Sequence, residues 1–397
     1  MFLLSATLAG LAAGASSLLF MLPSDRSAAL GAPALLLAAG HPALMLLGCA
    51  VPAMLGGMGF LLVPGAIGAP DCAFPRLSRF AAASALVGIA CFLFGLLSGR
   101  VAVLGAAVGS WTLGLVLASA VLLATLLNHR APSCRVRDGL FPRTIAIAAF
   151  LAACALPVIC ADCLLSGRHD AVVVLRDLSD RLAWPCLLLL SVPAIGLAAD
   201  VVSGDRPAAE HPSRVTSRPL LAGLLGFQAG VGFLLWCGPL FGHPGSAVLS
   251  RGILLLPPAV ALLLIGRDAV RGGFLGRIGR PAELHVAGFL LVALASVVWT
   301  LLMHLPTHYL LSAGSAFILL SGLHVWLGGA AARPVPVILS RCQFGFLFVG
   351  IHLMLLPSVT ADSLGAACCA LALLLLPVLL GATLSRSHAS LVAASPR

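Results

Sequence analysis

Eleven histidines and twelve cysteines supply most of the groups in this 397-residue sequence that could bind a metal ion or carry redox chemistry. Two of the histidines, His41 and His308, lie at long apolar runs, where an ionisable side chain is by default a candidate functional group. The alternatives are structural, because His41 could cap a helix and His308 could lie at the interfacial end of one. The sequence therefore offers both residues as candidates without deciding between the two interpretations.

The cysteines are mostly scattered through apolar runs, where cysteine packs as a small apolar residue. Only Cys160 and Cys163, in the segment CADC, have a spacing that is typical of redox or metal sites. The other ligands of a complete site cannot be identified. Packing is therefore the favoured interpretation of this pair as well.

The elements that position these residues are apolar helices. Hydrophobic residues make up 60% of the chain and charged residues 9%, whereas a soluble domain carries roughly 25% charged residues. A helix of about 20 apolar residues crosses ~30 Å of hydrocarbon and satisfies its own backbone hydrogen bonds there. The first run lacks a basic start and a cleavage site, so a retained helix is expected there. Twelve transmembrane helices are predicted, near 3–22, 40–63, 76–97, 101–127, 144–166, 182–203, 219–241, 250–268, 283–303, 306–329, 340–357 and 363–384.

Arginine supplies all 23 basic residues, and its distribution predicts the orientation of the helices. With a cytoplasmic N-terminus, 17 arginines fall on the cytoplasmic side and six on the outer side. This bias satisfies the positive-inside rule. We therefore expect an all-α membrane protein with one domain over residues 1–397 and both termini in the cytoplasm. The net charge of +10 then reflects topology, so lipid is an expected partner and nucleic acid is not. The six outer residues are Arg26, Arg100, Arg168, Arg176, Arg181 and Arg251.

Residues 56–80, GGMGFLLVPGAIGAPDCAFPRLSRF, join the second and third predicted helices. Glycines permit close helix approach, Pro64 and Pro70 end the helix, and Arg76 and Arg79 anchor the next one at the interface. The order of these residues resembles the corresponding segment of the heme-copper oxidase subunit I family. The resemblance continues in order through nearly the whole chain, with shorter loops and tail. It is carried by HPALMLLGCAVP (41–52), WPCLLLLSVPAIG (184–196), THYLLSAGSAFILLSGLHVW (307–326) and FGFLFVGIHLMLLP (344–357).

The resemblance implies a twelve-helix bundle and a low-spin heme held between two histidines on helices 2 and 10. His41 and His308 occupy those two positions, so the resemblance makes them the expected axial ligands of the heme iron. Two imidazole ligands give a six-coordinate iron suited to electron transfer.

The family's oxygen-reducing centre is not matched by this sequence. Copper is therefore not expected there, no catalytic residue is assigned, and the chain is not expected to act as an oxidase alone. His304 is not expected to substitute as a ligand, since it lies on the same helix face as His308. The positions of the copper ligands, the proton-pumping glutamate, the copper-side tyrosine and the high-spin heme ligand are occupied by Trp184, Gly238, Pro239, Cys186, Leu188 and Pro306.

The family's proton paths are also interrupted. Ala261 occupies the position of the lysine in one path, and the chain contains no lysine at all. Asp71 remains at the entrance of the other path, but Phe60 and Arg79 replace its asparagine partners and Cys186 ends it. We therefore expect Asp71 to be an interface residue.

The expected function is that of a cytochrome c oxidase subunit I-like protein of respiratory electron transport with a degenerate oxygen-reducing centre. The heme is expected to be b-type, because Met21 replaces the arginine that contacts the formyl group of heme a. Other respiratory oxidase subunits, including an active subunit I, are the expected partners, in a bacterial inner membrane. A heme-free structural or assembly subunit is the alternative, favoured by the loss of the propionate-binding arginines after helix 11. An active oxidase is a third interpretation.

Overall fold

The computed structural model describes residues 1–19, 31–131, 139–165, 170–204, 212–238, 247–303, 307–329, 335–356 and 359–393. The described residues form long helices and include no strand. We number the helices α1 to α12 in chain order. The first six are α1 Phe2–Leu19, α2 from Ala32–Ala43 through Phe60–Ile67, α3 Pro75–Ser98, α4 Val101–Asn128, α5 Leu140–Leu165 and α6 Ala171–Ser203. The second six are α7 Pro212–Cys237, α8 Ala247–Arg271, α9 Pro281–Met303, α10 Thr307–Gly329, α11 Val337–Leu353 and α12 Val359–Ala393.

These helices confirm the predicted all-α class, and each predicted apolar run falls on one of them. Within the described ranges, eight helices are long and apolar enough to cross a membrane, namely α2 to α7, α9 and α12. Helices α1, α10 and α11 contain shorter apolar stretches. The protein is therefore an integral, multi-pass membrane protein. Its single-domain organisation and its orientation stay predictions.

Helix α2 is continuous but irregular. Its segments Leu44–Ala50 and Ala53–Gly59 wind as π-helix on either side of the pair Val51 and Pro52. Pro52 has no backbone N–H and so interrupts the regular hydrogen-bond ladder, which favours the wider turns around it. Seven consecutive residues of the second segment are buried, because α1, α4, α5 and α10 all pack against it.

Helix α6 lies at the centre of the bundle. It packs against α2, α5, α7, α8, α9 and α10, and its residues Pro185–Ala199 are buried on every face. A helix that is apolar all round is stable only in such a position. By contrast, most of the apolar stretch of α12 is not covered by other helices of the chain. Three of the positions that the resemblance assigns to the oxygen-reducing centre, Trp184, Cys186 and Leu188, therefore lie on the most enclosed of the candidate membrane spans.

A carboxylate of α6 caps the start of α5. Asp200 Oδ1 accepts a hydrogen bond from the backbone N–H of Leu140 at 2.7 Å, and Oδ2 accepts one from Phe141 at 2.8 Å. The first N–H groups of a helix have no partner within the helix and carry a partial positive charge, so a carboxylate there satisfies both needs. Asp200 therefore links the adjacent ends of α5 and α6.

The link between α2 and α3 is closed by local hydrogen bonds. Thr125 Oγ1 on α4 accepts a hydrogen bond from the backbone N–H of Ala73 at 2.9 Å. The Cys72 thiol donates to the carbonyl oxygen of Phe60 at 3.9 Å. Phe74 then adopts the left-handed conformation, with φ 52°, that turns the chain into α3. The segment noted for its glycine, proline and charged residues is thus an ordered turn attached to α4.

Candidate functional site

His41 lies in α2 with its ring half-buried against α1. Its Nδ1 is 3.0 Å from the carbonyl oxygen of Ala13. A carbonyl oxygen can only accept a hydrogen bond, so Nδ1 carries the proton and the lone pair of the neutral ring is on Nε2. Metal-bound histidines in proteins are usually fixed in this way by a backbone carbonyl or a carboxylate. The donor chemistry at His41 therefore fits an axial heme ligand.

His308 lies in the first turn of α10, but its side chain is outside the described residues, and so is His304. Helices α2 and α10 nevertheless pack against each other. Their contact is close, because a Cβ atom at Gly322 of α10 would lie 2.6 Å from the sulfur of Met58 on α2. The helices that carry the two predicted ligands are therefore neighbours, while the geometry between the two imidazoles stays a prediction.

The positions matched to the copper ligand and the tyrosine are occupied by apolar packing. A Cβ atom at Gly232 of α7 would lie 3.0 Å from Leu188 Cδ1 and 3.6 Å from Trp184 Cζ3. Both side chains therefore lie against the backbone of α7. Cys186, between them on α6, is fully buried. None of these three side chains contains an imidazole or a phenol. The contact of Trp184 and Leu188 with α7 is apolar packing that stabilises the junction of α6 and α7.

The other residues considered in this context are dispersed. Asp71 is exposed in the turn before α3, where its Oδ1 accepts from the backbone N–H of Cys72 at 2.7 Å. Arg79 is exposed, Phe60 is half-buried and Ala261 is fully buried in α8. Met21, Pro239 and Pro306 lie outside the described residues, and Gly238 ends α7. Among the described residues, no three histidine, cysteine, aspartate or glutamate side chains are placed to hold a metal ion together.

Cys160 and Cys163 lie half-buried near the end of α5. Asp162, between them in the chain, forms an ion pair with Arg181 of α6, with 2.9 Å between Oδ2 and Nη1. Cys163 and Asp177 line a small cavity beside this ion pair. The ion pair connects α5 and α6, and no complete set of metal ligands surrounds the two thiols in the described part of the chain.

The sequence missed a histidine pair between α9, α10 and α11. The position of His285 in the sequence predicts a helix end or a loop, and the position of His324 within an apolar run predicts a buried packing residue. The structure puts His285 in the second turn of α9, fully buried, with its ring centroid 4.9 Å from that of His324 on α10. The placement of His285 near the helix start is correct, but its burial and its partner were not foreseen. The only sequence signal is the presence of histidine in two apolar runs.

Comparison with known proteins gives two further findings. The family described as Cytochrome C and Quinol oxidase polypeptide I matches residues 1–184, which include His41 and the turn before α3. Cytochrome c oxidase subunit 1 of Cereibacter sphaeroides is 23% identical over 374 residues, with 80% of this chain covered. The chain spans 65% of the length of that relative.

Proposed function

We propose that the chain is a heme-copper oxidase subunit I-like membrane protein and that it acts as an electron-transfer subunit of respiratory electron transport. This proposal is supported by its similarity to that family. It holds one low-spin heme between His41 and His308. The observation that carries the proposal is the hydrogen bond from His41 Nδ1 to the Ala13 carbonyl, 3.0 Å long. It puts the lone pair of the ring on Nε2, the nitrogen that would face iron.

The bound heme would supply one-electron transfer, and the protein would tune it through its ligands, hydrogen bonds and burial. The Ala13 carbonyl holds the His41 ring in one tautomer and makes the ligand nitrogen more basic. The helices around His41 limit the access of water. Met21 stands at the family position of the arginine that contacts heme a, which favours a b-type heme.

Oxygen reduction is not part of the proposed function of this chain. Trp184 and Leu188 pack against α7 where the resemblance expects a copper ligand and a tyrosine. A copper–imidazole centre would need nitrogen donors, and neither side chain provides one. We propose that the chain works beside other respiratory oxidase subunits, including an active subunit I, in a bacterial inner membrane.

A heme-free structural or assembly subunit is the second candidate. It is favoured by the absence of arginine from residues 357–369, where the family holds the heme propionates. In this case the twelve-helix bundle would serve only as a scaffold for its partners, since a fold does not by itself determine a function.

An optical spectrum distinguishes these candidates. We expect the purified protein to give a reduced-minus-oxidised spectrum of a low-spin b-type heme, which His41→Ala and His308→Ala each abolish. His129→Ala is the matched control, because His129 is exposed at the end of α4 and should leave the spectrum unchanged. A featureless spectrum from folded wild-type protein would reject the heme and favour the scaffold. Oxygen consumption by the purified chain would instead indicate an active oxidase.

A further inference from the structure

The histidine pair between α9, α10 and α11 is a buried polar feature outside the proposed heme site. His285 is fully buried and His324 is 4% exposed, and their rings are inclined by 43° with centroids 4.9 Å apart. Helix α9 packs against both α10 and α11, which closes the pair off from the surroundings. Two imidazoles are thus enclosed together between three helices.

One nitrogen of each ring is fixed by a hydrogen bond. His285 Nδ1 lies 2.8 Å from the carbonyl oxygen of Pro281, so it must donate, and the lone pair is on Nε2. His324 Nε2 lies 3.0 Å from the hydroxyl oxygen of Ser340. This hydroxyl accepts from Nε2 in the tautomer whose lone pair is on Nδ1, and it donates to Nε2 in the other tautomer. Metal binding through Nδ1 requires the first of these.

The two remaining nitrogens, His285 Nε2 and His324 Nδ1, are buried and find no hydrogen-bond partner among the described residues. Buried polar atoms are nearly always satisfied, and each exception needs an explanation. A direct hydrogen bond between the rings would satisfy both atoms, but the described geometry does not form one. Each ring thus has one nitrogen held by a hydrogen bond and one nitrogen that could bind a metal ion.

The chemistry of the donors restricts the ion. Both ligands are neutral, and the cost of burying an ion rises steeply with its charge, so a monovalent ion is favoured over a divalent one. Imidazole nitrogen suits copper, whereas magnesium and calcium require oxygen ligands. Glu283, two residues before His285, is already held by two arginines, with its Oε1 3.8 Å from Arg277 Nη1 and from Arg280 Nη1.

Aromatic rings form the wall of this site. The rings of Phe344 and His285 are T-shaped with 5.5 Å between centroids, and the Phe317 centroid lies 6.4 Å from that of His285. These rings are apolar and supply no negative charge to the site.

We propose that His285 and His324 bind one soft, monovalent metal ion of low coordination number, copper(I), through Nε2 of His285 and Nδ1 of His324. The site lies on α9 and α10, away from the α6 and α7 positions matched to the family's copper centre. It revises the expectation that the chain holds no copper, and it does not depend on the proposed heme.

The experiment measures metal retention. Purified full-length protein is stripped with a copper(I) chelator, reloaded with copper(I) or silver(I) under reducing conditions, and passed over a desalting column. Relative to wild type, His285→Gln and His324→Gln should each retain one equivalent of metal less per chain. His352→Gln is the matched control, because His352 lies on the adjacent α11 with its Nδ1 bonded to the Phe348 carbonyl, and it should retain the full amount.

X-ray absorption of the copper-loaded wild type provides a measurement that does not depend on how the variants fold. We expect two nitrogen neighbours around the ion in this site, in addition to any sulfur signal from the cysteines. The proposal is overturned if the signal is sulfur alone. It is also overturned if folded His285→Gln and His324→Gln retain as much metal as wild type, in which case a water molecule bridges the two nitrogens.

Discussion

At His41 the neighbouring helix determines which imidazole nitrogen carries the proton. The Ala13 carbonyl belongs to α1, so the tautomer of a ligand on α2 depends on how these two helices pack. His285 is anchored by the Pro281 carbonyl of its own helix, whereas His324 contacts the Ser340 hydroxyl of α11. In each case the chemistry of one side chain is determined by a group on the backbone or on a different helix.

Cys72 shows a comparable effect of its surroundings outside the membrane-spanning helices. Burial first, and the nearby charge of Asp71 second, raise the pKa of the Cys72 thiol to about 11, although a hydrogen bond with Thr125 opposes the shift. The reactive species of a cysteine is the thiolate. A high pKa therefore keeps this thiol protonated and unreactive at neutral pH.

We predict that alkylation of Cys72 by iodoacetamide at pH 8 is about two orders of magnitude slower in the folded protein than after denaturation, where the pKa returns to about 8.5. Mass spectrometry of the modified peptide measures the rate as a function of pH. The folded protein should reach half-maximal reactivity only near pH 11. Half-maximal reactivity near pH 8.5 in folded protein would contradict the assigned burial.

At the scale of elements, the contact between α5 and α6 depends on Asp200. We predict that Asp200→Asn lowers the free energy of unfolding by about 1–2 kcal/mol, the usual range for losing a helix cap. The amide of asparagine keeps one acceptor oxygen, so one of the two backbone N–H groups of Leu140 and Phe141 loses its partner. Unfolding in mixed detergent and dodecyl sulfate micelles measures the difference.

Asp180→Asn provides the matched control for this substitution. Asp180 is an exposed residue of the same helix, and an exposed substitution of this kind changes stability by about 0.5 kcal/mol or less. Equal losses in the two variants would mean that charge, and not the cap at α5, accounts for the effect of Asp200.

Helices α3 and α4 cross closely at Gly114, where glycine has no side chain to separate them. A Cβ atom at Gly114 would lie 2.7 Å from the Ala81 carbonyl oxygen and 2.8 Å from the Ala85 nitrogen, both backbone atoms that cannot rotate away. We predict that Gly114→Ala destabilises the protein by about 1–3 kcal/mol through forced separation of the helices. The thermal unfolding midpoint in detergent should fall accordingly.

Gly230→Ala is the control for Gly114, because Gly230 lies on α7 with open space around it. Alanine is the better helix former by about 1 kcal/mol, so this variant should be neutral or slightly more stable. A neutral Gly114→Ala variant would show that α3 and α4 are farther apart than the structure has them.

At the scale of the whole molecule, local signals were sufficient for the helices and insufficient for most contacts between them. Apolar length predicted the helices because a run of about 20 apolar residues is long enough to cross the hydrocarbon as a helix. Proline and glycine marked the turn before α3, and the sequence context of His41 pointed to its candidate role. The Asp200 cap and the histidine pair could not be predicted, because each joins helices whose adjacency no local pattern encodes.

The orientation in the membrane is the remaining property that the arginines predict. The predicted distribution puts 17 arginines on the cytoplasmic side and six on the outer side, with both termini in the cytoplasm. Termini on the same side require an even number of membrane crossings. We therefore predict that a fluorescent protein fused after Arg397 is fluorescent and that alkaline phosphatase fused there is inactive. The opposite pattern is expected for fusions after Leu165, at the end of α5 on the predicted outer side. If both fusion points report the same side, one of the helices between α6 and α12 does not cross, and the pairing of α2 with α10 at the proposed heme would need a different topology.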